Sequence, residues 1–211
     1  MSEISAHDTD TEAASEIEQL RSQGQDAMLA LLGQYRARLL RMIALRLDSR
    51  VMVKVDSEDI LQEVFIEAVR RVPAYLQQPT VPVFVWLRQL TTQALIDTHR
   101  RFLGARMRNV SQETSLHWAE LADTSSPSFA GQLADSLTTP SQCAMRGETL
   151  AAVKALVEKL DPIDREVLVL RHLEELSNAE VAQVLGIDRF AASKRYLRAL
   201  ERLRKGLGAR D

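Results

Sequence analysis

Between residues 189 and 210 the chain carries eight bases, Arg189, Lys194, Arg195, Arg198, Arg202, Arg204, Lys205 and Arg210, against one acid, Glu201. Guanidinium and ammonium groups at that density suit the binding of phosphate rather than bond-breaking chemistry. Just upstream, Val181, Ala182, Leu185, Gly186 and Ile187 have the spacing of a helix-turn-helix. Ala182 is small where a second helix must cross, and Gly186 can take the positive φ of a tight inter-helix turn. A helix from Arg189 to about Leu203 would then enter a major groove by its N-terminal end. Arg189, Phe190, Ser193 and Lys194 are placed to reach base edges. Arg195, Arg198 and Arg202 are placed for phosphates, which fix register without reading sequence. An ordinary helical hairpin with a glycine turn has the same spacing, so the motif alone leaves both readings open.

A second constellation is acidic. In the run Asp56-Ser57-Glu58-Asp59-Ile60-Leu61-Gln62-Glu63-Val64-Phe65-Ile66-Glu67-Ala68, the residues Asp59, Gln62, Glu63 and Glu67 fall on one side of a helix. Carboxylates there would repel DNA and suit a positively charged protein surface. A solubilising face would look the same.

The elements that must position these groups are all helical. Leu, Ala, Arg, Glu and Gln dominate the 211 residues, aromatics make up 5%, and alternation of β-branched residues is nearly absent. The net charge of −2 hides a segregation: residues 1–20 hold six acids and no Lys or Arg. Residues 1–22 are polar enough to predict a disordered acidic tail. Met28, Leu31, Leu32, Tyr35, Leu39 and Ile43 form a helical stripe. A second helix starts at Asp56 or Ser57 and ends at Pro73; a stiff loop spans 73–82, and Pro82 opens a third helix reaching about Arg101. From 109 to 141 serine, threonine and proline crowd a stretch too long for an ordinary loop, which predicts a flexible linker. A helix over 142–160 follows, then Asp161-Pro162 opening Ile163–Leu173, and a capping box at Ser177-Asn178-Ala179-Glu180. The expectation is an all-α chain of two small helical domains, 23–108 and 142–207, joined by that linker.

Other classes are disfavoured. His7, His99, His117 and His172 are scattered, and no phosphate-cradling glycine loop or Cys/His cluster appears, so no enzyme, cofactor or metal is expected. The single Cys143 cannot form an internal disulfide and fits a cytoplasmic protein. No run approaches the length of a membrane span.

The run Asp56–Ala68, then Phe84-Val85-Trp86-Leu87-Arg88-Gln89-Leu90 and Asp97-Thr98-His99-Arg100-Arg101, resembles regions 2.1 to 2.4 of sigma-70 factors. Leu160-Asp161 through Leu170, then Ser177 to Leu203, resembles region 4. The order, with a linker and no region 3 between, is similar to the extracytoplasmic-function group, over roughly 25–105 and 142–207. The resemblance implies a factor that binds core RNA polymerase and directs promoter recognition and melting. It implies that Asp59, Gln62 and Glu63 dock on polymerase. Arg88, Gln93, His99, Arg100 and Arg101 would hold the melted minus-ten strand, and Arg189, Phe190, Ser193, Lys194, Arg195, Arg198 and Arg202 the minus-thirty-five element. Trp86 at its family position packs in the core. Factors of this group are commonly held by an anti-sigma factor, which no residue here identifies. Two departures bear on promoter sequence: Gln93 stands where many members have asparagine, and Phe190-Ala191-Ala192-Ser193-Lys194-Arg195 replaces a Gly-Thr-Val-Lys-Ser-Arg-like start. A stand-alone helix-turn-helix regulator would need neither the acidic stripe nor the Phe84–Arg101 helix. A purely structural adaptor would be indifferent to the charges of Arg198 and Arg202.

Overall fold

The computed structural model describes residues 4–103, 133 and 146–208. Two compact units divide the chain, Met1–Ser111 and Gln112–Asp211. Among the described residues every regular element is a helix.

The first unit contains α1 (Ile4–Gln23), α2 (Gln25–Arg46), α3 (Ser49–Met52), α4 (Ser57–Gln77) and α5 (Val83–Leu103). Helices α2, α4 and α5 pack on one another. Their shared core holds Met28, Leu32, Leu39 and Ile43 from α2, Ile60, Leu61 and Val64 from α4, and Val83, Leu87 and Leu95 from α5. Asp56 caps α4 by accepting the Glu58 N–H at 3.2 Å, and Glu58 and Asp59 add negative charge to its first turn.

Three sequence expectations change here. The acidic segment predicted to be a disordered tail is the helix α1, lying against α2 and touching α4 and α5. Its composition hides a short stripe at helical spacing, Ala13, Glu16, Ile17 and Leu20, of which Leu20 is 1% exposed. The charge in that stripe is tolerated because the buried Glu16 accepts a hydrogen bond from Tyr35 Oη. Pro73 does not end α4, which continues to Gln77. An interior proline removes a backbone bond, but Tyr75 holds the last turn: its ring stacks on Trp86 at 4.5 Å and its Oη donates to the Val81 carbonyl at 2.6 Å. The loop is therefore 78–82, shorter than expected. Finally, α3 forms where no element was predicted, capped by Asp48, which accepts the Arg50 N–H at 2.8 Å.

The second unit contains α6 (Arg146–Glu158), α7 (Pro162–His172), α8 (Asn178–Leu185) and α9 (Arg189–Gly208), with α9 packed against the other three. Asp161 caps α7, with Pro162 in its first turn. The Ser177 capping box forms as predicted, each partner satisfying the other's backbone N–H. Gly186 closes α8 at φ 64° and ψ 33°, and the Ile187 N–H returns to the Ala182 carbonyl at 3.0 Å. The pair makes a Schellman closure. A Cβ at Gly186 would meet nothing within 4 Å. Gly186→Ala should therefore lower stability through backbone strain alone, by about 1–2 kcal/mol, read as an earlier urea midpoint. Asn in its place should recover part of the loss. The predicted linker, 109–141, lies outside the described residues apart from Leu133.

Candidate nucleic-acid interface

Helix α9 is built two-sided. Ala192, Ala199 and Leu203 are fully buried, and small residues at the first two positions let α9 lie close to its neighbours. Its first turn is fixed twice. Asp188 Oδ1 accepts the Ala191 N–H at 2.9 Å, and Asn178 Nδ2 donates to the Arg189 carbonyl at 3.0 Å, tying α9 to the start of α8. Arg189, Phe190 and Lys194 are exposed and Ser193 is half-buried, so the residues assigned to base edges share the accessible end of the helix.

The cations assigned to phosphates are arranged differently. Arg195 Nη1 lies 2.8 Å from Asp164 Oδ1, Arg198 donates to both oxygens of Asp164 at 3.0 and 2.7 Å, and Arg202 Nη1 stands 3.5 Å away. Asp164 is 0% exposed. Burial opposes its charge, but the hydrogen bonds from Arg198 and Arg195 outweigh that and hold its carboxyl below the usual carboxylate range. The cluster clamps α7 to α9, so Arg195 and Arg198 orient the helix before they meet any backbone phosphate. The sequence expectation for these residues omitted this role. Its signal was present: a carboxylate in the first turn of α7, three residues before the apolar run Val167–Leu170, in a chain whose last helix is basic.

In the first unit Asp59, Gln62 and Glu63 are all exposed on α4, and Ile66, 71% exposed, continues the same face one turn on. Glu63 lies 3.5 Å from Arg101 Nη1. Glu67, read in the sequence as part of the stripe, is instead engaged by Arg70 and Arg71 along its own helix. On α5 the strand candidates separate. Gln93, Arg100 and Arg101 reach solvent, Gln93 donating to Asp97 at 3.0 Å and Arg100 standing 3.4 Å from the same carboxylate. Arg88 is 4% exposed and His99 0%, so neither lies on the surface where a strand would pass. Both fall on the inward side of α5, which residue type did not reveal. Trp86 is buried against Tyr75, the core position expected of it.

Residues 150–203 match the family described as Sigma-70, region 4, a span that includes Asp164, the α8–α9 turn and most of α9. The chain is 26% identical over 192 residues to the ECF RNA polymerase sigma factor SigW of Bacillus subtilis, covering 90% of this chain and 94% of that one. It is 26% identical over 194 residues to the RNA polymerase sigma factor CarQ of Myxococcus xanthus, covering 91% and 95%. The Probable RNA polymerase sigma factor RfaY of Xanthomonas campestris is 33% identical over 151 residues, 72% of this chain but 34% of that protein's length. The chain belongs to the extracytoplasmic-function group of the sigma-70 family.

In this sigma factor His99 has a structural task. Its Nε2 accepts the Asp48 N–H at 3.1 Å, joining α5 to the cap of α3, while its buried Nδ1 has no partner among the described residues. Burial, helped by the nearby Arg50, pushes the imidazole below its ordinary value of 6.5 against the pull of Asp48. The unfolded chain therefore binds more protons just below that pH, and stability contributed by neutral His99 is lost as pH falls from 6.5 through the folded value. Urea midpoints should drop between pH 7.5 and 5.5, and His99→Gln should shrink that drop; an unchanged pH dependence would remove His99 from the account. His172 is also depressed, chiefly by burial, so the variant comparison is what isolates His99. Among the described residues no helix is long and apolar enough to cross a membrane, and no group of three or more His, Cys, Asp or Glu could hold a metal ion.

Proposed function

We infer that this chain binds core RNA polymerase and directs it to promoter DNA, opening the minus-ten region with its first unit and reading the minus-thirty-five element with its second. The observation that carries the reading is the pairing of two features. One is a region 4 match that runs into an accessible, doubly pinned α9; the other is similarity to sigma factors along nine-tenths of the chain. Asp59, Gln62 and Glu63 supply the polymerase-docking face. Gln93, Arg100 and Arg101 supply the melted-strand face, with cations for the backbone. Arg189, Phe190, Ser193 and Lys194 reach base edges, and Arg195, Arg198 and Arg202 contribute positive field around a clamped helix. The factor recognises and positions rather than catalyses, acts in the cytoplasm where polymerase and promoter meet, and an anti-sigma factor is a further partner of this group. Residues 109–141 tether the two functions.

Mixing the chain with core polymerase and separating by size tests the reading against a stand-alone helix-turn-helix regulator: co-elution at one-to-one stoichiometry is expected, and separate elution contradicts it. Lys194→Ala should weaken promoter-specific initiation by about tenfold, the value of one good base contact, while co-elution is preserved. Equal loss of both would contradict the division of labour.

A further inference from the structure

The exposed side of α9 is unusual for a basic helix because it presents apolar surface at its leading end. Phe190 is 88% exposed in the first turn, and Leu197, 59% exposed, lies seven residues on along the same face, with Ser193 and the exposed Lys194 between. The turn that carries the ring is held by Asp188 and Asn178, and the core face of the helix is already filled by Ala192, Ala199 and Leu203. The ring is thus presented outward on a rigid base, beside Arg189 and Lys194.

We propose that Phe190 is a specificity-determining residue that reads the C5-methyl group of a thymine in the upstream promoter element. The proposal rests on the promoter reading given above and goes further by naming what one side chain recognises. The leading turn of the second helix of a helix-turn-helix faces base edges in the major groove. A phenyl ring has no donor or acceptor, and the thymine methyl is the apolar handle that this groove offers. The flanking cations favour a duplex over an apolar protein groove, since Arg189 and Lys194 have phosphates and guanine edges within the same footprint. Contact with the methyl covers apolar area on both partners without any hydrogen bond.

The test removes only the methyl. Duplexes selected from a randomised library by the complex of this chain with core polymerase are resynthesised with each thymine of the upstream element replaced singly by deoxyuridine. At one position, or two adjacent ones, the intact factor should bind the uracil duplex about three- to fivefold more weakly, as expected for burying one methyl-sized group. Phe190→Ala should bind the thymine and uracil duplexes equally, at the weaker level. Indifference of the intact factor to every single replacement overturns the proposal, as does a Phe190→Ala variant that still discriminates. Loss of polymerase binding by Phe190→Ala with discrimination retained assigns the ring to a protein partner and overturns it too. Failure of the complex to select any duplex is a separate result, which contradicts the promoter reading itself.

Discussion

Asp164→Ala should lower the unfolding free energy of the second unit by about 2–3 kcal/mol, the scale of a buried charged acceptor lost from several guanidinium donors. The size follows from the geometry. Asp164 is fully buried and accepts three hydrogen bonds of 3.0 Å or shorter from Arg195 and Arg198. Those arginines are partly exposed, so the water available to them once the carboxylate is gone keeps the loss below that of a fully buried pair. Because the Asp164 carboxyl sits below the ordinary 3.8, the folded state binds fewer protons there than the unfolded chain. Its contribution is therefore present above that pH and disappears as pH falls through the folded value. A second readout separates orientation from charge. With the carboxylate removed, duplex binding should become more salt-dependent, since guanidiniums released from Asp164 can meet phosphates. Preference for promoter over random sequence should fall as α9 loses its clamp. Unchanged urea midpoints together with an unchanged salt slope would show that the cluster neither stabilises nor orients the helix.

The second large effect belongs to the opposite unit. Reversing two charges of the docking face proposed on α4, Asp59→Lys with Glu63→Lys, should weaken association with core polymerase by a hundredfold or more. Each step replaces an attraction with a repulsion at a polar interface, and like-charge juxtaposition costs several kcal/mol. Both side chains are exposed and lie outside the core, so the circular dichroism of the variant should match that of the parent. The variant's affinity for duplex through α9 is expected to be untouched, because these substitutions lie in the first unit. Unimpaired polymerase binding would move the docking surface away from α4.

What the sequence made legible follows from the reach of the signals used. Helix-turn-helix spacing is local, and every piece of it is found: the Ser177 capping box, the Gly186 closure, and the proline-led α7. Periodicity likewise located the core face of α2, whose Met28, Leu31, Leu32, Tyr35, Leu39 and Ile43 are all buried. The misses are tertiary. Helix α1 reads as a tail because its stripe is short and includes a carboxylate, and only the partner Tyr35, nineteen residues on, makes that carboxylate tolerable. Pro73 reads as a terminator because the contacts that hold the turn beyond it, to Val81 and Trp86, come from outside the helix. His99 and Arg88 read as strand ligands through the family resemblance, but their positions on α5 face inward. Arg195 and Arg198 read as phosphate contacts because their partner Asp164 is more than thirty residues away. Local chemistry singled out the candidate residues, and long-range pairing decides what several of them touch.

The central claim is that this chain confers promoter-dependent initiation on core RNA polymerase. Run-off transcription from genomic fragments of the source cell, with core enzyme alone and with the chain added, tests it most directly. Discrete transcripts of fixed start site that require both components are predicted. An identical product pattern with and without the chain would contradict the account.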